Sequence, residues 1–257
     1  MKVLVIPDPH LKPWMFADAS AIMSALIKEE EKHDEDQRAA IGAVCLGDWA
    51  DDFDKQEDFS LYKATFEAGI DFMKAFPNTW FCIGNHDISY VWGRREDGYS
   101  DNKEIQELVR EKMAELKNLL EIQGRYGFVH CIDNVVFSHA GLSKPFYKRY
   151  AEDPDLESFI NRINTTFGEA ELWRKFSPIW ARIQKGWFQN YAPYVCEKLQ
   201  VVGHTPLKAV QFEKKANLLS VDVFSTQSNG RPMGNVTDQR YVVVDTITKE
   251  FRFADVI

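Results

Sequence analysis

The apolar residues of the chain fall into short runs, and each run ends at glycine, proline or a polar residue. Ten of these runs have the length of strands and are rich in aliphatic and β-branched side chains. The ten predicted strands lie at 3–6, 41–46, 79–83, 129–132, 135–138, 199–202, 210–212, 218–223, 241–245 and 251–253.

Helical patterns separate the early strands. Segments 18–31, 59–76 and 102–122 are predicted helices, and 102–122 repeats its apolar residues every three or four positions. A further helical, aromatic-rich segment is predicted at 156–187, broken at Pro178. Strands alternate with helices in the first half and follow one another in the second, which predicts a mixed, layered α/β domain. Since no repeat or linker interrupts the pattern, we predict a single domain over 1–257.

Polar side chains follow five of the predicted strands at the point where each strand ends. In α/β sheets, groups just past the carboxyl ends of strands converge on one crevice. The sequence therefore predicts that these side chains form a single site. They are Asp8 and His10 after 3–6, Asp48 and Asp51 after 41–46, Asn85 and His86 after 79–83, His139 after 135–138, and His204 after 199–202.

This set of carboxylates, imidazoles and one amide points to metal binding. Such ligands suit manganese, iron or zinc, whereas imidazole makes magnesium less favoured. One ion does not need so many ligands, but two ions that share a carboxylate would use all of them. Such a pair activates a bridging hydroxide and stabilises an in-line displacement at phosphorus. Of the two histidines outside the set, we predict that His33 is solvated and that His130 is a strand residue with a backbone partner.

Composition and charge narrow the function further. The chain has 31 basic and 39 acidic residues, a net charge of −8, so no strong general affinity for nucleic acid is expected. Its four cysteines lie far apart and are predicted to be reduced thiols. The apolar run at the N-terminus is too short for a signal sequence, and no run approaches the length of a membrane span. We therefore expect a cytoplasmic protein without a membrane partner.

Five motifs at the strand ends resemble those of the calcineurin-like metallophosphoesterases. The resemblance is closest to the branch of Ser/Thr phosphoprotein phosphatases and symmetrical diadenosine tetraphosphate hydrolases. It implies an α/β fold, a four-layer αββα sandwich of two mixed β-sheets flanked by helices, with a dinuclear metal site at the carboxyl ends of the strands. The motifs are DPH at 8–10, GDWAD at 47–51, GNHD at 84–87, SHAG at 138–141 and GHTP at 203–206.

The resemblance implies a role for each metal ligand. Two divalent ions would be the cofactors, and we favour Mn²⁺ over the alternatives iron and zinc. The first ion would be held by Asp8 and His10, and Asp48 would bridge both ions. The second ion would be completed by Asn85, His139 and His204.

The resemblance also implies the catalytic groups. His86 would donate a proton to the leaving oxygen, and Asp51 would orient its imidazole. The broader family often has a further metal-binding histidine at the position of Pro206, and its replacement favours the phosphoprotein phosphatase branch.

Two motifs depart from the phosphatase pattern. The second motif continues as Asp51-Asp52-Phe53, where the phosphatases have an arginine that binds the phosphate, and the first reads DPHLKP rather than DxHG. An arginine forms a bidentate fork with phosphate oxygens, so a replacement is expected elsewhere. The best candidate is Arg182 in SPIWAR at 177–182, and the alternatives are Arg94 and Arg95.

The predicted function is hydrolysis of a phosphate monoester on a phosphoprotein or small metabolite, by attack of a metal-bridging hydroxide. One alternative is a dinucleoside polyphosphate or nucleic-acid phosphodiesterase, because the aromatic residues at 173–187 could stack on bases. The predicted helical segment at about 143–194 would line the cleft in either case. A second alternative is a non-catalytic binding scaffold of the same fold, against which the full ligand set and His86 argue.

Overall fold

Two β-sheets pack face to face in the computed structural model, which describes residues 1–152, 155–184 and 191–255. Within these residues the first sheet has six strands, of which the first four in chain order run parallel. They are β1 (Lys2–Ile6), β2 (Ile41–Cys45), β3 (Thr79–Cys82), β4 (Tyr126–Gly127), β10 (Tyr241–Asp245) and β11 (Phe251–Ala254), in the spatial order β11-β10-β1-β2-β3-β4.

The second sheet has five strands among the described residues. Its three central strands run parallel and its two edge strands run antiparallel to their neighbours, so both sheets are mixed. The strands are β5 (Val129–Ile132), β6 (Val135–Ser138), β7 (Leu199–Val202), β8 (Gln211–Glu213) and β9 (Leu218–Ser220), in the order β5-β6-β7-β9-β8.

The alternation of side chains along β1 explains how the layers form. Val3 and Val5 lie in the apolar cluster between the sheets, with Phe137 of β6. Leu4 and Ile6 point to the opposite face and join the cluster beneath the helices. A strand that is buried on both faces carries a nearly continuous apolar run, which is why its sequence shows no alternation.

Helices cover the outer face of the first sheet. The long helices are α1 (Trp14–Glu30), α2 (Phe59–Ala75) and α4 (Lys103–Leu120). In α4 the buried residues recur every three or four positions, as the sequence predicted, and include Ile105, Val109 and Met113. None of the helices among the described residues is long and apolar enough to cross a membrane.

The predicted helix at 156–187 is confirmed at 156–165 and 169–172 and is wrong at 166–168 and 173–184. The remaining helices are α3 (Asn85–Trp92), α5 (Lys144–Tyr150), α6 (Leu156–Thr165) and α7 (Glu169–Leu172). Thr166 and Gly168 are weak helix formers, so α6 stops before them, and Pro178 lies in a series of turns rather than in a helix. Residues 153, 154 and 185–190 of the predicted cleft-lining segment lie outside the described residues, and the single-domain division stays a prediction.

Candidate metal centre

Four predicted ligands lie close together at the carboxyl ends of four strands. His139 is one of them, and the other three surround its imidazole. The His139 Nε2 atom lies 3.1 Å from Asp48 Oδ2, 2.8 Å from Asn85 Oδ1 and 3.0 Å from His204 Nδ1. These residues come from both sheets and are all buried. The packing of the sheets therefore brings together groups separated by up to 156 residues of sequence, 204 minus 48.

The orientation of His139 leaves a lone pair where a cation is needed. Its Nδ1 atom lies 2.8 Å from the Leu46 carbonyl, to which it donates, so in the neutral imidazole Nε2 can only accept. Yet Nε2 faces an amide oxygen and a carboxylate. Burial alone lowers the pKa of His139. The carboxylates of Asp48 and Asp8 have the larger effect and raise this pKa to about 9. Three hydrogen-bond acceptors thus face one another, and a cation between them or a proton on Nε2 stabilises the arrangement.

A second set of ligands shares Asp48 with the first. The ligand atoms of Asp8, His10 and Asp48 all lie within 4.8 Å of one another, and so do those of Asp48, His139 and His204. Within the described residues, Asp8 Oδ1 is buried without a hydrogen-bond partner. The donors are carboxylate and imidazole groups with the Asn85 amide oxygen beside them, and these are ligands that divalent transition-metal ions accept.

Two glycines allow the carboxylates to lie against the backbone. A Cβ atom at Gly203 would collide with Asp8 Oδ1, and one at Gly84 would collide with the carboxylate of Asp48. Strained backbone supports the same loops, because residues with positive φ are clustered here. They are His10 (φ 42°), Asp48 (φ 51°), Asp51 (φ 63°) and His204 (φ 63°).

Beside the metal ligands lies an imidazole with a fixed tautomer. His86 Nδ1 is 2.9 Å from Asp51 Oδ2, while Asp51 Oδ1 accepts hydrogen bonds of 2.5 Å from the hydroxyls of Tyr62 and Tyr90. Burial lowers the pKa of His86, but Glu96 and Asp48 raise it well above its usual range. These carboxylates thus favour the protonated form of the His86 imidazole, which lines the cavity.

The sequence match to known proteins agrees with this geometry. The model of the family described as calcineurin-like phosphoesterase matches residues 1–226. The chain belongs to the calcineurin-like phosphoesterase family. This family hydrolyses phosphoesters and uses divalent metal ions. No curated protein gave a match.

Solved structures similar to this calcineurin-like fold include phosphatases. The cold-active protein-tyrosine phosphatase of a psychrophile, Shewanella sp., has a TM-score of 0.50 at 16% identity, covering 98% of this chain and 80% of that chain. A protein serine/threonine phosphatase from Saccharomyces cerevisiae has a TM-score of 0.50 at 16% identity, covering 95% of this chain and 72% of that chain. At these identities the likeness shows the fold alone.

A cavity of about 400 Å³ opens beside the predicted metal ligands. His10, Asp48, Asn85, His86 and His204 reach its wall. The cavity is also lined by residues that are not predicted metal ligands, among them Asp52, Phe53, Glu96, Asp97, Trp180 and Arg182.

The structure brings one of the three predicted phosphate-binding arginines to the cavity. Nη1 of Arg182 donates to the His204 carbonyl at 3.1 Å, which places the guanidinium beside the second set of ligands. Arg94 instead pairs with Glu169 on the surface, and Arg95 with Asp101. Neither of these two is among the described residues that line the cavity.

The two departures from the phosphatase motifs contact each other. Lys12 of DPHLKP lies 3.2 Å from Asp52, which occupies the position of the missing arginine. Asp52 also accepts a hydrogen bond from Thr226. The Lys12 ammonium therefore offsets the charge of the Asp52 carboxylate.

Three further acidic residues at the centre were not predicted. Asp87 follows His86 and accepts hydrogen bonds from the amides of the 47–51 loop, and its place within GNHD was the available signal. Asp222 is buried just past β9, which ends at Ser220. It was missed because the predicted strand ran to 223, so that Asp222 was counted as part of the strand rather than as a polar residue after it. Glu96 lies in a charged loop, and no sequence pattern indicated it.

Proposed function

We propose that the chain is a phosphatase that hydrolyses a phosphate monoester on a phosphoprotein or a small metabolite. The observation that carries this proposal is that the His86–Asp51 pair lines the same cavity as His10, Asp48 and His204, which belong to the two ligand sets that share Asp48. Metal binding alone would not require an imidazole with a positioned proton beside the ligands. The family's phosphoester chemistry supplies a use for both parts.

The metal ligands have distinct tasks in this proposal. Asp8, His10 and Asp48 would hold the first ion, and the second would bind to Asp48, Asn85, His139 and His204. When bound, the two divalent ions, for which we propose Mn²⁺, supply positive charge at the phosphoryl oxygens and activate the attacking water. The ring nitrogens of His10 and His139 that face away from the centre are hydrogen-bonded to backbone carbonyls, which fixes their orientation.

His86 and Arg182 act on the substrate. Asp51 holds Nδ1 of the His86 imidazole, so the opposite nitrogen can donate its proton to the departing oxygen. The guanidinium of Arg182 would bind phosphoryl oxygens and stabilise the charge that develops on them. Its contact with the His204 carbonyl holds it at the centre.

A second candidate function is hydrolysis of a nucleotide or dinucleoside polyphosphate. Trp180 lines the cavity, and its ring lies 5.8 Å from that of His204. An indole at this wall offers a face for stacking on a base. A putative diadenosine tetraphosphatase is among the similar structures, but its TM-score of 0.40 at 14% identity carries no argument.

The test compares two substrates in metal-stripped protein to which Mn²⁺ is returned: p-nitrophenyl phosphate and bis-p-nitrophenyl phosphate. We expect metal-dependent cleavage of the monoester, lost in Asp48→Asn and strongly reduced in His86→Ala. A clear preference for the diester would contradict the monoesterase and favour the second candidate, with diadenosine tetraphosphate as the next substrate. No turnover of either ester with two ions bound would contradict both.

A further inference from the structure

The carboxylate of Glu96 reaches into the centre from the loop that follows α3. Its two oxygens lie 3.0 Å and 2.9 Å from the amide nitrogen of Asn85. One of them is also 3.8 Å from His86 Nδ1. The Glu96 side chain is 8% exposed and lines the cavity, so it contacts both a predicted metal ligand and the predicted acid.

This contact decides which way the Asn85 side chain faces. An amide has one accepting and one donating end, and only its oxygen can bind a cation. Because the Glu96 carboxylate accepts hydrogen bonds and cannot donate any when ionised, it holds the nitrogen end. The Asn85 oxygen is thereby turned towards His139 Nε2, at 2.8 Å, where the second set of ligands meets.

The burial of Glu96 indicates that the contact is needed. Placing a carboxylate in a wall that already contains Asp48 and Asp51 is unfavourable, because like charges repel and burial removes hydration. A neutral residue in the same loop would avoid this cost. An acidic side chain here makes sense if its hydrogen bonds to Asn85 improve a site whose cations offset its charge.

We propose that Glu96 is a positioning residue that fixes the Asn85 amide with its oxygen towards the second metal ion. This inference rests on the proposed two-ion site and adds a residue that acts on the metal through its ligand. Partners of this kind typically change metal affinity 10–100-fold when they are removed. The first ion, whose ligands do not contact Glu96, should be unaffected.

The test is a titration of metal-free protein with Mn²⁺, in which the EPR signal of free Mn²⁺ gives the number and affinity of bound ions. In Glu96→Leu, which has no acceptor, we expect the second ion to bind about 10–100-fold more weakly. Glu96→Gln retains one acceptor oxygen and should lose less. Asp101→Asn removes a charge from the same loop that pairs with Arg95, and should bind both ions like the wild type.

Asn85→Asp supplies a background in which the effect should reverse. A carboxylate at position 85 has no nitrogen end to be held, and the Glu96 carboxylate would then repel it. In this background Glu96→Gln should strengthen binding of the second ion, whereas in the wild-type background it weakens it. General damage to the fold would weaken binding in both backgrounds, and thermal melts of the metal-free proteins would reveal it.

The outcomes separate this inference from the proposed function. Two ions bound with equal affinity by the wild type and Glu96→Leu would overturn the role of Glu96 and leave the metal centre intact. The same change of affinity in both Asn85 backgrounds would also overturn it. A wild-type chain that binds fewer than two ions would contradict the metal centre itself, and the role of Glu96 with it.

Discussion

Three imidazoles of the centre, those of His10, His86 and His139, are each oriented by a hydrogen bond at Nδ1. His10 Nδ1 is 2.7 Å from the Asp51 carbonyl, His139 Nδ1 is 2.8 Å from the Leu46 carbonyl, and His86 Nδ1 is 2.9 Å from the Asp51 carboxylate. Two partners are neutral carbonyls and the third is an anion. An anionic partner stabilises a protonated imidazole more strongly than a neutral carbonyl does, which suits the proposed role of His86 as a proton donor.

His86→Asn should lower the rate without removing the metals. If His86 protonates the leaving oxygen, kcat should fall about 10²–10⁴-fold. The loss should be greater for phenyl phosphate than for p-nitrophenyl phosphate, because the less stable phenolate depends more on the proton. Steady-state kinetics on both esters, with Mn²⁺ content measured alongside, check this. Equal losses on the two esters would argue against proton donation.

The eight ligand and acid–base residues were predictable at this scale because each directly follows an apolar strand. Glu96 was not, since its position depends on the path of the loop after α3 rather than on a strand end. The predicted roles of Arg94 and Arg95 rested only on their nearness to GNHD in sequence. The side chains of both turn outward to acidic partners, Glu169 and Asp101.

At the scale of elements, the 47–51 loop is organised by the first turn of α3. The Asp87 carboxylate accepts from the amides of Asp48 (2.7 Å), Trp49 (2.8 Å) and Ala50 (3.2 Å). Helix α3 was not among the predicted helices. Asn85 and Asp87 lie in its first turn, and Gly93 is in the left-handed conformation after its end.

Asp87→Asn should destabilise this junction. The substitution keeps the volume but replaces one acceptor with a donor that faces backbone N–H groups. We expect the free energy of unfolding to fall by about 2 kcal/mol, the cost of an unsatisfied buried amide. Denaturant unfolding of the metal-free proteins measures it, and Asp71→Asn, at an exposed position of α2, is the control. Equal stability of the two variants would contradict the assigned contact.

Gly203→Ala should impair the centre where β7 ends. The added methyl group would collide with Asp8 Oδ1, so the carboxylate must move and the affinity for the first ion should drop at least tenfold, the range seen when a ligand loses its support. Gly168→Ala is the matched control, because nothing lies within 4 Å of the added atom. Mn²⁺ titration compares the two, and wild-type affinity in Gly203→Ala would contradict the close approach.

The predicted strands were largely confirmed because burial on both faces gives long apolar runs. The helical segment at 156–187 was overextended, since its aromatic residues pack in turns with a spacing that resembles a helix. Trp173 and Trp180, for example, meet edge to face at 5.1 Å although both lie outside α7. Only the tertiary packing of this region distinguishes the two arrangements.

For the molecule as a whole, His130 connects the two sheets. It lies on β5, and its Nε2 is 2.9 Å from the carbonyl of Phe81 on β3, which confirms the predicted backbone partner. Burial lowers the pKa of His130 to about 4, although the contact with the Phe81 carbonyl raises it. The folded protein therefore keeps His130 neutral over a range of pH where the unfolded chain takes up a proton.

This difference predicts a loss of stability in mild acid. The unfolded chain binds the extra proton below pH about 6.5, so the free energy of unfolding falls as the pH decreases from 6.5 to 4. By pH 5 the contribution of His130 is a loss of about 2 kcal/mol. In the metal-free His130→Gln variant, the free energy of unfolding should fall by about 2 kcal/mol less between pH 6.5 and pH 5 than in the wild type. His33→Gln, at an exposed position, should follow the wild type. Parallel curves for wild type and His130→Gln would contradict the assignment.

The central claim is that this family member is a metal-dependent phosphatase whose two ions share Asp48. The most direct measurement is the rate of p-nitrophenyl phosphate hydrolysis by metal-stripped protein as Mn²⁺ is added in counted equivalents. We expect no turnover without metal and a rate that rises as the second ion binds. Asp48→Asn should show no turnover at any amount of added Mn²⁺. Full turnover in the metal-free protein, or unchanged turnover in Asp48→Asn, would contradict the claim.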